Sequence, residues 1–136
     1  MPFAHSTKDQ SRADWQLLVD HLNEVSDLAA SRGAKFGCAS AAALAGRLHD
    51  LGKYAEAFQL YIRGRGPSVD HSTAGTRLAL DQAQIGAPPD RLTAELIAYV
   101  VAGHHAGLPD RRIGGASLAA RAPDRILIVE ADATIQ

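Results

Sequence analysis

Apolar positions recur at helical steps along most of this chain. From Asp14 to about Ala30, "DWQLLVDHLNEVSDLAA" places Trp15, Leu18, Leu22, Val25 and Ala29 at alternating steps of three and four, the stripe of an amphipathic helix, with His21 beside it. A second segment, "CASAAALAGRLHDLG", is rich in small residues and suited to close packing; it stops at Gly52, where a left-handed glycine is the ordinary way to close a helix. A third, "KYAEAFQLYI", offers Tyr54, Phe58, Tyr61 and Ile62 as its apolar side and runs into "RGRGP". After a loop carrying "VDHS", Ser72 or Thr73 can cap a fourth helix towards Gly86; "APPD" then separates it from a fifth that begins near Asp90. That fifth segment, "RLTAELIAYVVAGHH", is apolar on most sides, which predicts a central place in a bundle.

Beyond "HHAGLPDRRIGGAS" the pattern weakens, and "RILIVEADA" is compatible with strand or helix. Helix is the expectation there, because no other segment alternates with period two and a lone strand would lack a partner. No internal repeat or linker divides the chain. At 136 residues with 46% hydrophobic content, the expectation is one all-α domain over residues 1–136, a helical bundle with its own core.

Composition narrows the chemistry. One cysteine, Cys38, excludes an internal disulfide and a multi-cysteine zinc site, which suits a reducing compartment. The N-terminus "MPFAHSTKDQ" lacks a signal-peptide pattern and the longest apolar runs are too short to span a bilayer, so a cytoplasmic protein with no membrane partner is expected. A formal net charge of −1 gives no overall attraction to nucleic acid. Contact with DNA or RNA would rest on the local basic loops "IRGRG" and "PDRRIGG".

The histidines change the picture. Taken alone, His21 reads as a packing residue, His49 with Asp50 as a helix-end pair, and His71 as a loop residue beside a capping serine. His104 and His105 are harder to dismiss, since two polar rings at the end of a buried helix cost a few kcal/mol unless they find partners. Four separate segments each deliver a histidine at or beside an inward face or a helix end, and one metal site would account for all of them. Two cations about 3.5–4 Å apart and bridged by one carboxylate can hold a phosphate and activate water; Asp50 is the natural bridge. Imidazole-rich ligation favours manganese, iron, cobalt, nickel or zinc over magnesium.

His21, then "HDLGK", then "DHS", then "HHAGLPD", in this order over roughly residues 3–110, resembles the HD superfamily of metal-dependent phosphohydrolases. Specifically, it resembles the HD nuclease domain of the CRISPR-associated helicase-nuclease of type I systems. The resemblance implies an all-helical HD domain with its metal site at the centre. It implies two divalent ions, manganese or another transition metal (nickel, cobalt, iron) with magnesium as an alternative. It also implies cutting of single-stranded DNA beside a CRISPR-associated helicase and an RNA-guided surveillance complex. Carried over by motif, His21, His49 and Asp50 would hold one metal, and Asp50, His71, His104 and His105 the second. Lys53 would place a positive charge near the scissile phosphate, its other reading being a helix-end lysine. His5, in "FAHS", resembles the family opening and is expected to be structural or at the rim, not on a metal.

The family's last metal aspartate comes well downstream of the paired histidines in a context ending "AD". Here "VEADA" supplies Asp132, sooner after His105 than the resemblance implies, so a shortened C-terminal part is one expectation and a missing ligand another. With no helicase part, a stand-alone subunit, an excised domain or a shortened relative are the alternatives. Two rival functions stand beside the nuclease: an HD phosphohydrolase acting on a nucleotide or cyclic nucleotide, and a metal-poor, non-catalytic docking module.

Overall fold

The computed structural model describes residues 1–9, 11–105 and 107–109. Within these the protein is mostly helical. Five α-helices follow one another: α1 (Leu18–Gly33), α2 (Ala39–Leu48), α3 (Glu56–Ile62), α4 (Thr73–Ile85) and α5 (Pro88–Gly103). Helix α1 packs against α2, α4 against α5, and α2 meets α5 to join the two pairs. Leu48, Ala79, Ile97, Ala98, Val101 and Ala102 form the core at that junction. Alanine dominates because the helices approach closely there, leaving little room for longer side chains.

The predicted stripe of α1 holds at Trp15, Leu18 and Leu22, which are buried, while Val25 is half-buried. The helix begins four residues later than its periodicity suggests, because Gln16–Leu17 form strand β2 instead, antiparallel to β1 (Phe3–His5). No strand was expected. Strands of three and two residues are too short to show a period-two pattern, and this pair is fixed by partners distant in sequence. The Leu18 N–H donates to the Pro2 carbonyl (3.0 Å), and buried Gln59 brackets Phe3 with hydrogen bonds on both its N–H (3.0 Å) and its carbonyl (2.9 Å).

Gly52 does not close α2 in the left-handed conformation; among the described glycines that conformation belongs to Gly37, Gly64 and Gly107. Helix α2 ends at Leu48, and Leu51–Tyr54 make a separate 3₁₀ turn that Asp50 precedes. Pro88 opens α5, the helix-start role suited to proline. Helix α5 is buried on one face only among the described residues. Ile97, Ala98, Val101 and Ala102 point inward, while Leu92, Leu96 and Val100 are more than half exposed. Leu96 and Val100 line a groove of about 620 Å³ between α1, α2 and α5 that reaches His49 and His104. No helix among the described residues is long and apolar enough to cross a membrane.

Candidate metal centre

Four places in the chain meet at Asp50. His21 comes from the first turn of α1, His49 and Asp50 from the junction of α2 with the 3₁₀ turn, His71 from the loop before α4, and His104 and His105 from the end of α5. Two glycines permit the meeting. A Cβ on Gly52 would run into the backbone of His71, and one on Gly75 would run into the Leu48 carbonyl. The glycine after "HDL" and the glycine after "DHSTA" are therefore where the α2 junction and the start of α4 touch backbone to backbone, which carries His71 up to Asp50. Asp70 orders the same loop by accepting from both the N–H (2.8 Å) and the hydroxyl (2.9 Å) of Ser72. Ser72 occupies the cap position of α4 but makes no side-chain cap bond, so the capping expected of it is replaced by this turn.

The two oxygens of Asp50 face different partners. Oδ2 lies 3.0 Å from His21 Nε2, 3.2 Å from His49 Nε2 and 2.8 Å from Lys53 Nζ. Oδ1 lies 3.4 Å from His71 Nε2 and 3.5 Å from His104 Nε2, and neither Oδ1 nor His104 Nε2 has a hydrogen-bond partner although both are buried. His71 Nε2 in turn lies 2.9 Å from His105 Nε2, and His21 Nε2 3.2 Å from His49 Nε2. The potential ligand atoms thus form two groups, His21–His49–Asp50 and Asp50–His71–His104–His105, each with its atoms within 4.8 Å of one another. The structure brings together every histidine proposed from sequence as a ligand, in the two sets expected, with Asp50 common to both. Asp132 lies outside the described residues.

The tautomers indicate what such a cluster accommodates. His49 Nδ1 sits 2.7 Å from the Gly46 carbonyl and His104 Nδ1 2.7 Å from the Val101 carbonyl, so each Nδ1 carries its proton and donates it. A neutral ring with its proton on Nδ1 turns the Nε2 lone pair inward, towards a carboxylate and other imidazole nitrogens. Lone pairs and an anion converging on one spot repel each other unless a cation stands between them. The donor set therefore fits divalent metal: imidazole nitrogens with one shared carboxylate, and an orphaned buried oxygen on the side that has no other partner.

Electrostatics point the same way. Burial holds His21 and His71 below the ordinary histidine value, and burial together with neighbouring His104 does so for His105, which keeps these rings neutral and free to ligate near pH 7. For Asp50, burial favours the neutral acid, but the contacts with His104, His49 and Lys53 prevail and hold it far below the carboxylate range. His104 is the exception. Burial lowers it, yet the approach of Asp50 and the bond to Val101 outweigh burial and raise it, so this spot attracts positive charge.

Lys53 is not a solvent-facing lysine on a helix end. It is 5% exposed, its ammonium pairs with Asp50, and it donates to the Ala4 carbonyl at 3.2 Å. His5 stands at the edge as expected, exposed and with its ring 4.8 Å from that of His21. Sequence reading missed Gln59, a buried amide within the apolar stretch "AFQLYI", whose side chain also donates to the Lys53 carbonyl (2.7 Å). A glutamine between Phe58 and Leu60 was the available signal, since a polar residue there needs buried partners.

A family model of the HD domain matches residues 18–134. The chain belongs to the HD domain family. HD domains bind divalent metals and are generally metal-dependent hydrolases, and the match takes in all four segments that meet at Asp50 together with "VEADA". None of the curated proteins compared with it matches the chain.

Proposed function

We propose that this HD domain is a two-metal phosphodiesterase of the nuclease type, acting on single-stranded DNA as the cutting component beside a CRISPR-associated helicase and an RNA-guided surveillance complex. The observation that carries the reading is the division of Asp50: one oxygen to His21 and His49, the other to His71 and His104. A single carboxylate serving two histidine sets supports a paired-cation centre rather than a single structural ion. Two divalent cations held there would activate a water for attack and stabilise the leaving oxygen of a phosphodiester. The motif order His21, "HDLGK", "DHS", "HHAGLPD" supports the nuclease branch over other HD hydrolases.

The protein's own groups fix the geometry for that chemistry. His49 and His104 are aimed by their carbonyl-bound Nδ1 atoms. Lys53 balances one unit of charge on Asp50 and holds its Oδ2 in place, and so acts as a positioning residue. The loop at 63–68 bears exposed Arg65 ahead of His71 and supplies a positive charge for a phosphate backbone. Asp132, within the family match, is the fourth ligand proposed for the His21 set.

Manganese-loaded protein should degrade a single-stranded oligonucleotide and leave intact duplex nearly untouched, because a near-neutral domain does not open base pairs unaided. Faster turnover of a nucleotide or cyclic nucleotide than of any strand would replace this with the small-molecule reading. A protein that retains no divalent metal under any loading condition would reduce it to a docking module.

A further inference from the structure

Strand β1 is anchored by buried polar side chains to a degree that a three-residue edge strand does not require. Gln59, 6% exposed, grips Phe3 through both its N–H and its carbonyl and also holds the Lys53 carbonyl. Lys53 donates to Ala4, the next residue, from the same ammonium that pairs with Asp50. The backbone of β1 is thereby tied through one side chain to the carboxylate at the middle of the centre. Burying an amide and an ammonium to fix two backbone residues costs desolvation, which an apolar contact would avoid. The residue that this anchorage presents is His5. Its ring stands edge-on to His21, with planes at 84° and centroids 4.8 Å apart, and it is exposed where His21 is only 14% exposed. It belongs to neither ligand group, and its side chain makes no hydrogen bond to the described residues.

We infer that His5 is a substrate-contacting residue of this centre, its imidazole N–H donating to a non-bridging oxygen of the phosphate being cleaved. The inference rests on the phosphodiesterase reading above. A neutral imidazole always retains one N–H, and a ring held beside a ligand yet open to solvent can offer it to an anion seated on the cluster. Its backbone is fixed in advance, so the contact orders only one side chain.

Four readouts on manganese-loaded protein test this: metal content, melting temperature, kcat and KM on a single-stranded oligonucleotide, and inhibition or binding by inorganic phosphate. His5→Ala should retain the wild-type metal content and melting temperature while losing about ten- to a hundredfold in kcat/KM and weakening phosphate binding, the scale of a hydrogen bond to a charged group. His5→Gln, whose amide can also donate, should recover part of the loss. Unchanged kcat/KM and phosphate binding in His5→Ala would overturn the assignment. Loss of metal in that variant would also overturn it, since His5 would then merely shield His21. If wild-type protein cuts no strand but phosphate binding still depends on His5, the contact stands and the nuclease reading fails.

Discussion

Asp50 is the residue at which both ligand groups and the Lys53 ammonium converge, and its removal has two separable consequences. Asp50→Asn keeps the shape but leaves Lys53, 6% exposed at its side chain, as a buried cation without its counter-ion. Breaking a buried pair from one side costs about 3–5 kcal/mol, so the metal-free variant should melt well below the metal-free wild type. Metal content should fall to near zero in the same variant, because both groups share this carboxylate. Melting curves with chelator and metal analysis without it read the two effects independently. The histidines add a pH dependence whose sign follows from their surroundings. Burial lowers His21, His71 and His105, so between their folded values and about 6.5 the unfolded chain binds more protons than the folded one. Their contribution is fully present above about 6.5 and is lost as pH falls below it. His104, raised, works in the opposite direction, but it is one ring against four, since burial and the neighbouring Lys53 lower His5 as well. Asp50 contributes nothing to this window, since its depressed value puts its loss at far lower pH. The metal-free protein should therefore melt at progressively lower temperature from pH 7 to pH 5; a flat profile would contradict the assignment of rings held neutral near pH 7.

The elements show why the site was more legible than its scaffold. The histidines proposed as ligands stand at helix ends, in the loop before one, or beside an apolar stripe, and periodicity locates those positions well even when helix bounds shift. Helix α1 starts four residues late, yet His21 keeps its place beside Leu18 and Leu22 because the phase of the stripe is unchanged. What sequence could not give were contacts between elements far apart in the chain. Gly52 looked like a helix terminator, whereas its lack of a side chain makes room for the His71 backbone. Lys53 reads in sequence as a positive charge near a phosphate or as a helix-end lysine, whereas its ammonium is buried between the Ala4 carbonyl and Asp50. The β1–β2 pair was invisible because buried Gln59, not a residue pattern, holds β1. A test at this scale is Gly52→Ala. The added methyl would push the loop before α4 away, moving His71 while leaving His21 and His49 untouched. Overpacking of this kind costs about 1–3 kcal/mol, and the protein should remain folded while binding at the Asp50–His71–His104–His105 group weakens. Titration calorimetry with manganese should show that site selectively impaired. Equal weakening of both groups would mean that Gly52 supports the centre as a whole.

At the scale of the whole molecule, the two ligand groups are unequal, and the difference bears on the part of the chain beyond Pro109. The Asp50–His71–His104–His105 group has four donors among the described residues, whereas His21–His49–Asp50 has three. The four-donor group is a full protein-supplied set, while the other holds its ion more weakly unless a further donor joins it. Asp132, inside the family match that extends to residue 134, is the donor proposed for it. Asp132→Ala should then lower manganese stoichiometry from two towards one, the retained ion being held by the group containing the paired histidines. Catalysis should fall far more than stability, because a two-cation centre reduced to one loses the partner that stabilises the leaving oxygen. His71→Ala provides the reciprocal case, removing a donor from the other group while leaving His21, His49 and Asp50 in place. A manganese-loaded crystal structure would test the proposal directly, with an Asp132 oxygen expected about 2.0–2.2 Å from the ion at His21 and His49. If Asp132→Ala instead retains both ions at wild-type affinity and full activity, then Asp132 is not a ligand, and the three-donor group suffices or is completed by another residue.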